Sequence, residues 1–379
     1  MSLVAEGSSF AAVRYVPALT GMRALAALLV LLLHTNHFLS ADMADVLPFL
    51  LRGYLGVDFF FILSGFIITH VYLDSLAYPS WRATRVFLWH RLIRLYPVHI
   101  AVLGAMLAMV GLAAAAGFRV NNPEMLRWDD LYAQLLLIHA WGVIPVASWN
   151  APAWSISAEW FAYLLFPALA PMLMRLRRPW SALALAAAAL VATVGVLAVA
   201  GRTLEYSWLG PPALVRVTGE FLCGAALCRA LMLWPGAERG TGGWPPSGAA
   251  DALGYLAIAG YLIGASIGLP DLLLVTLLAL AILGGARSDG SLTRVLGRGP
   301  IAWLGEISYS IYMVHLPILI VARRVYDSWG YATWSVAGRQ LAFIGTMAMV
   351  IGVAALVYYV VERPARQRLR NKMGIIAAR

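Results

Sequence analysis

Apolar residues run along this chain in long blocks, and most charges stand between the blocks. The blocks cover 22–39, 54–74, 96–117, 130–144, 152–174, 180–200, 211–233, 250–268, 270–286, 301–322 and 338–361. A helix needs about 20 residues to cross a bilayer, and every block but one comes near that length. The exception, 130–144, is short and follows Asp129 and Asp130. The pattern predicts an all-α, polytopic integral membrane helix bundle.

The arginines order these blocks across the bilayer, because cytoplasmic loops collect Arg and Lys. With Arg14 inside, the loop 40–53 with Asp42 and Asp45 is outside, and Arg82, Arg85, Arg91 and Arg94 are inside. If 130–144 crossed, Arg175, Arg177 and Arg178 would fall outside. If it does not, they fall inside together with Arg229, Arg239, Arg287, Arg294, Arg298 and the tail. Arg323 and Arg324 are then an exception. The expectation is ten spanning helices with both termini cytoplasmic. Segment 130–144 becomes a short re-entrant or interfacial helix, tolerated where it packs on protein or lines a cavity. No loop is long enough for a soluble domain, so 1–379 reads as one membrane domain with its core at about 15–366. Residues 367–379 form a basic cytoplasmic tail suited to anionic lipid.

Composition agrees with this picture. The chain is 61% hydrophobic and 12% charged, against about 25% charged in soluble domains, and its mean hydropathy is +0.78. The net charge of +10 comes almost wholly from arginine, with Lys372 the only lysine. That excess belongs to membrane topology and implies no nucleic acid. Cys223 and Cys228 match no zinc or redox spacing and read as inert helix residues. No cleavable signal is evident, since no small-x-small site follows the first block.

What remains is the set of ionisable residues inside the blocks, each costly at depth by about 2.5–3.5 kcal/mol on insertion scales. Arg23 and His34 bracket ten apolar residues. Eleven helical residues rise about 16 Å and turn three times plus about 20°, so both share one face. Asp58 enters the second helix from outside, Glu159 lies about two turns into its own, and His315 follows Ser308, Tyr309 and Tyr312. On this reading His34, Asp58, Glu159 and His315 gather in the outer half of the bundle. A histidine beside carboxylates is apparatus for taking a proton from a hydroxyl. It also serves as a proton relay in a transporter or flippase of a polar solute, and each residue taken singly fits a buried ion pair or interhelical hydrogen bond. Arg91 and Arg94, three apart, stand at the inner mouth with Arg23. Three arginines there suit a phosphate-bearing ligand, or simple positive-inside retention. Arg216 and Glu220 read as a structural i,i+4 pair, and Glu306 and Glu362 as solvated or paired ends. Ser64-Gly65 lacks a nucleophile-elbow frame and reads as a packing site. His34 and His37 have no third ligand nearby, so no metal is expected.

These residues together resemble acyltransferase family 3. The resemblance rests on Arg23-(ten residues)-His34, on Gly56-Val57-Asp58-Phe59-Phe60-Phe61-Ile62-Leu63-Ser64-Gly65-Phe66 and on Arg91-Leu92-Ile93-Arg94-Leu95-Tyr96-Pro97. It continues through Trp154-Ser155-Ile156-Ser157-Ala158-Glu159, the run from Leu304 to His315 and Glu362-Arg363-Pro364. It implies a ten-helix membrane O-acyltransferase of the bacterial cytoplasmic (inner) membrane. The acyl group, most often acetyl, would pass from cytoplasmic acyl-CoA to a hydroxyl of a glycan or other acceptor, frequently on the outer side. Carried over, His34 is catalytic, and Arg23, Arg91 and Arg94 bind CoA. Orientation of His34 by Glu159 or Asp58, and oxyanion donation by Tyr309, Ser308 or His315, are expected around that core. Some family members carry an added extracytoplasmic domain. This chain stops at 379, so transfer to the acceptor is expected of the membrane domain or a partner. Trp128, Trp141, Trp149, Trp329 and Trp334 in the outer loops suit either sugar stacking or an interfacial belt. The oligomeric state stays open, a homo-oligomer included.

Overall fold

The structure, a computed structural model, describes residues 16–39, 43–117, 125–235 and 246–369. Arg14, Arg239, the loop stretches 40–42, 118–124 and 236–245, and the basic tail beyond Leu369 lie outside the described residues. Ten helices of 17 residues or more order the rest: α1 Pro17–Leu39, α2 Leu55–Tyr72, α3 Trp81–Ala115, α4 Trp154–Met174, α5 Pro179–Val199, α6 Pro211–Leu233, α7 Ser247–Ser266, α8 Asp271–Arg287, α9 Ser308–Ser328 and α10 Val336–Val357. Seven are long and apolar enough to cross a membrane. An eighth span arises if Gly299–Glu306 and α9, bent by 69° at Ile307, count as one. Of the other two, α6 carries Arg216, Glu220 and Arg229, and α8 has only 17 residues.

Local chemistry sets the ends. Proline opens α1, α5 and α6, where its missing N–H costs nothing and its fixed φ suits the first turn. Ser80 and Ser335 cap α3 and α10 by accepting from Ala83 N and Gly338 N. Helix α3 starts fifteen residues before its apolar block, at Trp81 instead of 96. Hydropathy marks only the apolar stretch, but the arginine-bearing turns continue the same backbone ladder.

Segment 130–144 contains only five α-helical residues, Leu131–Leu135, and continues as turns. Neighbours satisfy its backbone, as irregular chain in a membrane requires. Ser157 Oγ accepts from Ala140 N and donates to Leu137 O, Trp141 Nε1 donates to Ser157 O, and His99 Nε2 donates to Gln134 O. Leu137 and Trp149 hold left-handed φ values of 57° and 61°, sparsely populated for such side chains. Of the five loop tryptophans, Trp149 is buried at 1% exposure and donates to Arg127 O, so it belongs to the core and offers no outer face.

Close packing needs glycine at the α2–α6 crossing. A Cβ on Gly65 would stand 1.9 Å from Phe221 O, and one on Gly224 would stand 1.8 Å from Ile62 O. Gly65→Ala is therefore expected to lower stability by about 1–3 kcal/mol, the usual cost of overpacking, measured by unfolding in detergent. An unchanged midpoint would show that the two helices separate freely.

Three charges are buried at the same crossing. Arg216 donates Nε and Nη2 to the two oxygens of Asp58 at 3.0 and 2.5 Å, and Nη1 to Leu204 O at 2.7 Å. Glu220 lies 3.8 Å from Arg216 Nε, and none of the three side chains exceeds 2% exposure. Asp58 is thus not a partner of His34; both its oxygens hold a guanidinium. The exceptional Arg323 also has a local explanation. It donates to Phe38 O at the end of α1, pairs with Asp327 at 2.9 Å and lies over the Tyr331 ring.

Candidate active site

A cavity of about 160 Å³ lies among α1, α2, α3, α4 and α9. Arg23, Arg91, Arg94 and Glu159 line it together with Ser64, Tyr163, Ser308 and Tyr309, and α2 supplies an apolar wall from Val57 to Ile68. The three arginines come from two helices, Arg23 from α1 and Arg91 and Arg94 from α3, and share one space. Helix α1 presents Arg23 toward α9, where its guanidinium donates to Ser308 Oγ at 3.1 Å. Arg91 donates to Tyr72 OH at 3.2 Å and lies over the Tyr72 and Tyr163 rings, and its Nε is buried without a hydrogen-bond partner. Arg94 pairs with Glu362 and covers the Tyr309 ring. Glu362 also accepts from Arg366 and Ser310. Among the described residues, no carboxylate lies within ion-pair distance of Arg23 or Arg91.

The sequence reads Glu362 as a helix end that is solvated or paired with a nearby arginine, and its arginines are Arg94 and Arg366. It ends a π-helical turn, Tyr358–Glu362, that prolongs α10, and it is 1% exposed. Its signal was the Glu362-Arg363-Pro364 motif, but hydropathy gave no reason to bring it under Arg94.

Glu159 sits with the arginines instead of orienting His34. Tyr163 OH donates to Glu159 Oε1 at 2.5 Å. That uses the only phenolic proton, so Ser64 Oγ is the donor to Tyr163 OH at 3.0 Å. The expectation assumed that α4 begins at the membrane surface. Its first residue, Trp154, meets Phe61 edge to face and lies under the Arg216 guanidinium, and the next turns carry Glu159 to the arginine cavity.

His34 is oriented by backbone. Its Nδ1 lies 2.9 Å from Val30 O. A carbonyl only accepts, so Nδ1 carries the hydrogen and Nε2 keeps its lone pair. The His315 ring centroid is 4.9 Å away, and Tyr312, which lines the arginine cavity, is 5.6 Å from His315. Contacts therefore run from the cavity through Tyr312 and His315 to His34. The expected oxyanion donors have committed protons. Ser308 Oγ donates to Gly305 O, Tyr309 OH to Leu95 O and His315 Nδ1 to Tyr312 O. Ser308 and Tyr309 also belong to the Arg23 end of the site. Among the described residues no three His, Cys, Asp or Glu side chains are placed to hold a metal.

The family model described as an acyltransferase domain matches residues 16–359, a span holding the arginine cavity and both histidines. The chain belongs to acyltransferase family 3. Membership in acyltransferase family 3 makes it an acyltransferase, and its helices make it an integral membrane protein. The acyltransferase MdmB of Streptomyces mycarofaciens is 29% identical over 392 residues, covering 96% of this chain and 94% of that protein. The putative peptidoglycan O-acetyltransferase YrhL of Bacillus subtilis and the peptidoglycan O-acetyltransferase OatA of Listeria monocytogenes are each 24% identical across 93% of this chain. The chain spans 55% and 56% of the lengths of those two. No solved structure matches it.

Proposed function

We propose that this protein transfers an acyl group, acetyl foremost, from cytoplasmic acyl-CoA to a hydroxyl of a glycan or other acceptor at the outer face of a bacterial cytoplasmic membrane, crossed ten times with both termini inside. The supporting observation is the cavity itself. Arg23 and Arg91, with no carboxylate within ion-pair distance among the described residues, face it beside Arg94, and Tyr312, which also lines it, leads through His315 to His34. Guanidiniums bind phosphate oxygens bidentately. The rise of about 16 Å from Arg23 to His34 is of the order of an extended pantetheine arm.

On this reading the arginines hold the CoA phosphates and the thioester lies near His34. His34 Nε2 takes the acceptor's hydroxyl proton as the oxygen attacks the acyl carbon. The carbon–sulfur bond breaks, and the departing thiolate recovers the proton. Asp58 has no step here; it braces α2 against α6.

The test is purified protein in detergent with acetyl-CoA, read as thiol release and as CoA-dependent thermal stabilisation. Arg23→Gln with Arg91→Gln is expected to weaken CoA binding by about 10- to 100-fold, the loss from removing charge-assisted hydrogen bonds, with a smaller change in kcat. Unchanged CoA affinity would sink the assignment. Solute uptake driven by a pH gradient in liposomes without CoA would support the transporter reading instead.

A further inference from the structure

Glu362 serves two arginines at once. Arg94 Nη1 and Arg366 Nη2 both reach its Oε1, the latter at 2.9 Å, and its Oε2 accepts from Ser310 Oγ at 2.6 Å. Sharing one oxygen sets the two guanidiniums side by side. Glu362 closes the π-turn Tyr358–Glu362, and Arg366 follows one helical turn later on the same face.

The two arginines differ in where they stand. Arg94 lines the cavity and Arg366 does not. Side-chain exposure rises from 21% for Arg94 to 33% for Arg366, with Glu362 between them at 1%. Arg366 thus sits beyond Arg94, at the mouth of the cavity. Charge is left over there. The guanidiniums of Arg23, Arg91, Arg94 and Arg366 stand against only Glu362 and Glu159. A guanidinium offers a fork of N–H donors, and among the described residues Arg366 meets protein only at Glu362.

Acyl-CoA carries phosphate in two places. Its diphosphate joins the pantetheine arm, and a separate monophosphate sits on the ribose 3′ oxygen, farther from the thioester. With the arm running toward His34, the diphosphate meets the cavity arginines and the ribose phosphate comes last. A phosphate monoester bears a charge of about −1.5 to −2 at neutral pH, and an arginine fork meets two of its oxygens together.

We propose that Arg366, beside Arg94, forms the subsite for the ribose 3′-phosphate of the acyl donor, so that the protein distinguishes CoA from its dephospho form. This rests on acyl-CoA being the donor. Glu362 touches no ligand; it is the positioning residue that holds both forks at the mouth.

The full chain in neutral detergent tests this, titrated calorimetrically with CoA and with 3′-dephospho-CoA. Wild type is expected to bind CoA about 10- to 100-fold more tightly, the worth of charge-assisted hydrogen bonds to one phosphate. Arg366→Gln is expected to lose that factor for CoA and to bind dephospho-CoA within about twofold of wild type, so the preference disappears. Arg363→Gln removes the same charge from an exposed position on the same helix and is expected to keep the preference. A variant of Arg366 that weakens both ligands alike overturns the proposal, because a merely structural arginine would do that. An equal loss of preference in Arg363→Gln also overturns it, by reducing Arg366 to part of a general field. Wild-type protein that binds CoA and dephospho-CoA equally overturns the subsite, leaves the donor reading standing and gives Arg366 to the anionic lipid surface. Wild type that binds neither removes the donor reading and the subsite together.

Discussion

His34→Ala is expected to give a folded, CoA-binding protein that transfers acyl groups about 10²- to 10⁴-fold more slowly, the usual worth of a general base. Folding should survive because the His34 ring makes its hydrogen bond within its own helix, to Val30 O, and because alanine is the strongest helix former. Binding should survive because Arg23 lies about 16 Å down the helix. The separation is measurable: CoA should still raise the melting temperature of the variant while thiol release collapses. A variant that acylates at the wild-type rate would remove His34 from the chemistry. One that neither binds CoA nor folds would show the residue to be structural.

The second large effect concerns stability. Asp58→Asn is expected to cost about 1.5–3 kcal/mol, the loss of a charge-assisted bidentate contact, with Glu220, 3.8 Å from Arg216 Nε, left as the counter-ion. Arg216 would keep one acceptor oxygen, meet an NH₂ group at the other and retain its full charge at 2% exposure. Glu220→Gln is expected to cost far less. Two carboxylates face one guanidinium here, Asp58 takes both bidentate bonds, and neither Glu220 oxygen has a hydrogen-bond partner. Unfolding in detergent separates the two cases. Equal losses would mean that both acids are needed to neutralise the site.

Much of the molecule was legible because membrane helices announce themselves by composition. The blocks predicted most long helices to within a few residues, and the motifs named the arginines that now share a cavity. Helical phase placed Arg23 and His34 on one face without any knowledge of neighbours. Depth was harder to read. Counting turns into α4 from the bilayer surface put Glu159 beside His34, but α4 follows an irregular segment held by Ser157 and Asn150 and presents Glu159 to the arginine cavity. Partner choice between distant helices was hidden as well. Asp58 took Arg216 from 158 residues away, and Arg94 took Glu362 from 268 away. Charge balance called for such partners, but the pairing of Asp58 with Arg216 depended on the crossing where Gly65 and Gly224 let α2 and α6 close, and that of Arg94 with Glu362 on the π-turn that prolongs α10. The tautomer of His315 was hidden too, since only the Tyr312 carbonyl shows that Nδ1 carries the hydrogen and Nε2 keeps a lone pair.

The proline in α9 has a mechanical consequence. Because Asn150 supplies the hydrogen that Pro317 withholds, the irregular chain before α4 is pinned to the helix bearing His315 at the Met313 carbonyl, and again where Tyr312 OH donates to Pro152 O. The two cannot shift independently without breaking these bonds. A push on residues 148–152 is delivered, by an amide and a phenol, two and three residues from the imidazole, so that loop acts as a lever on the chemical end of the protein.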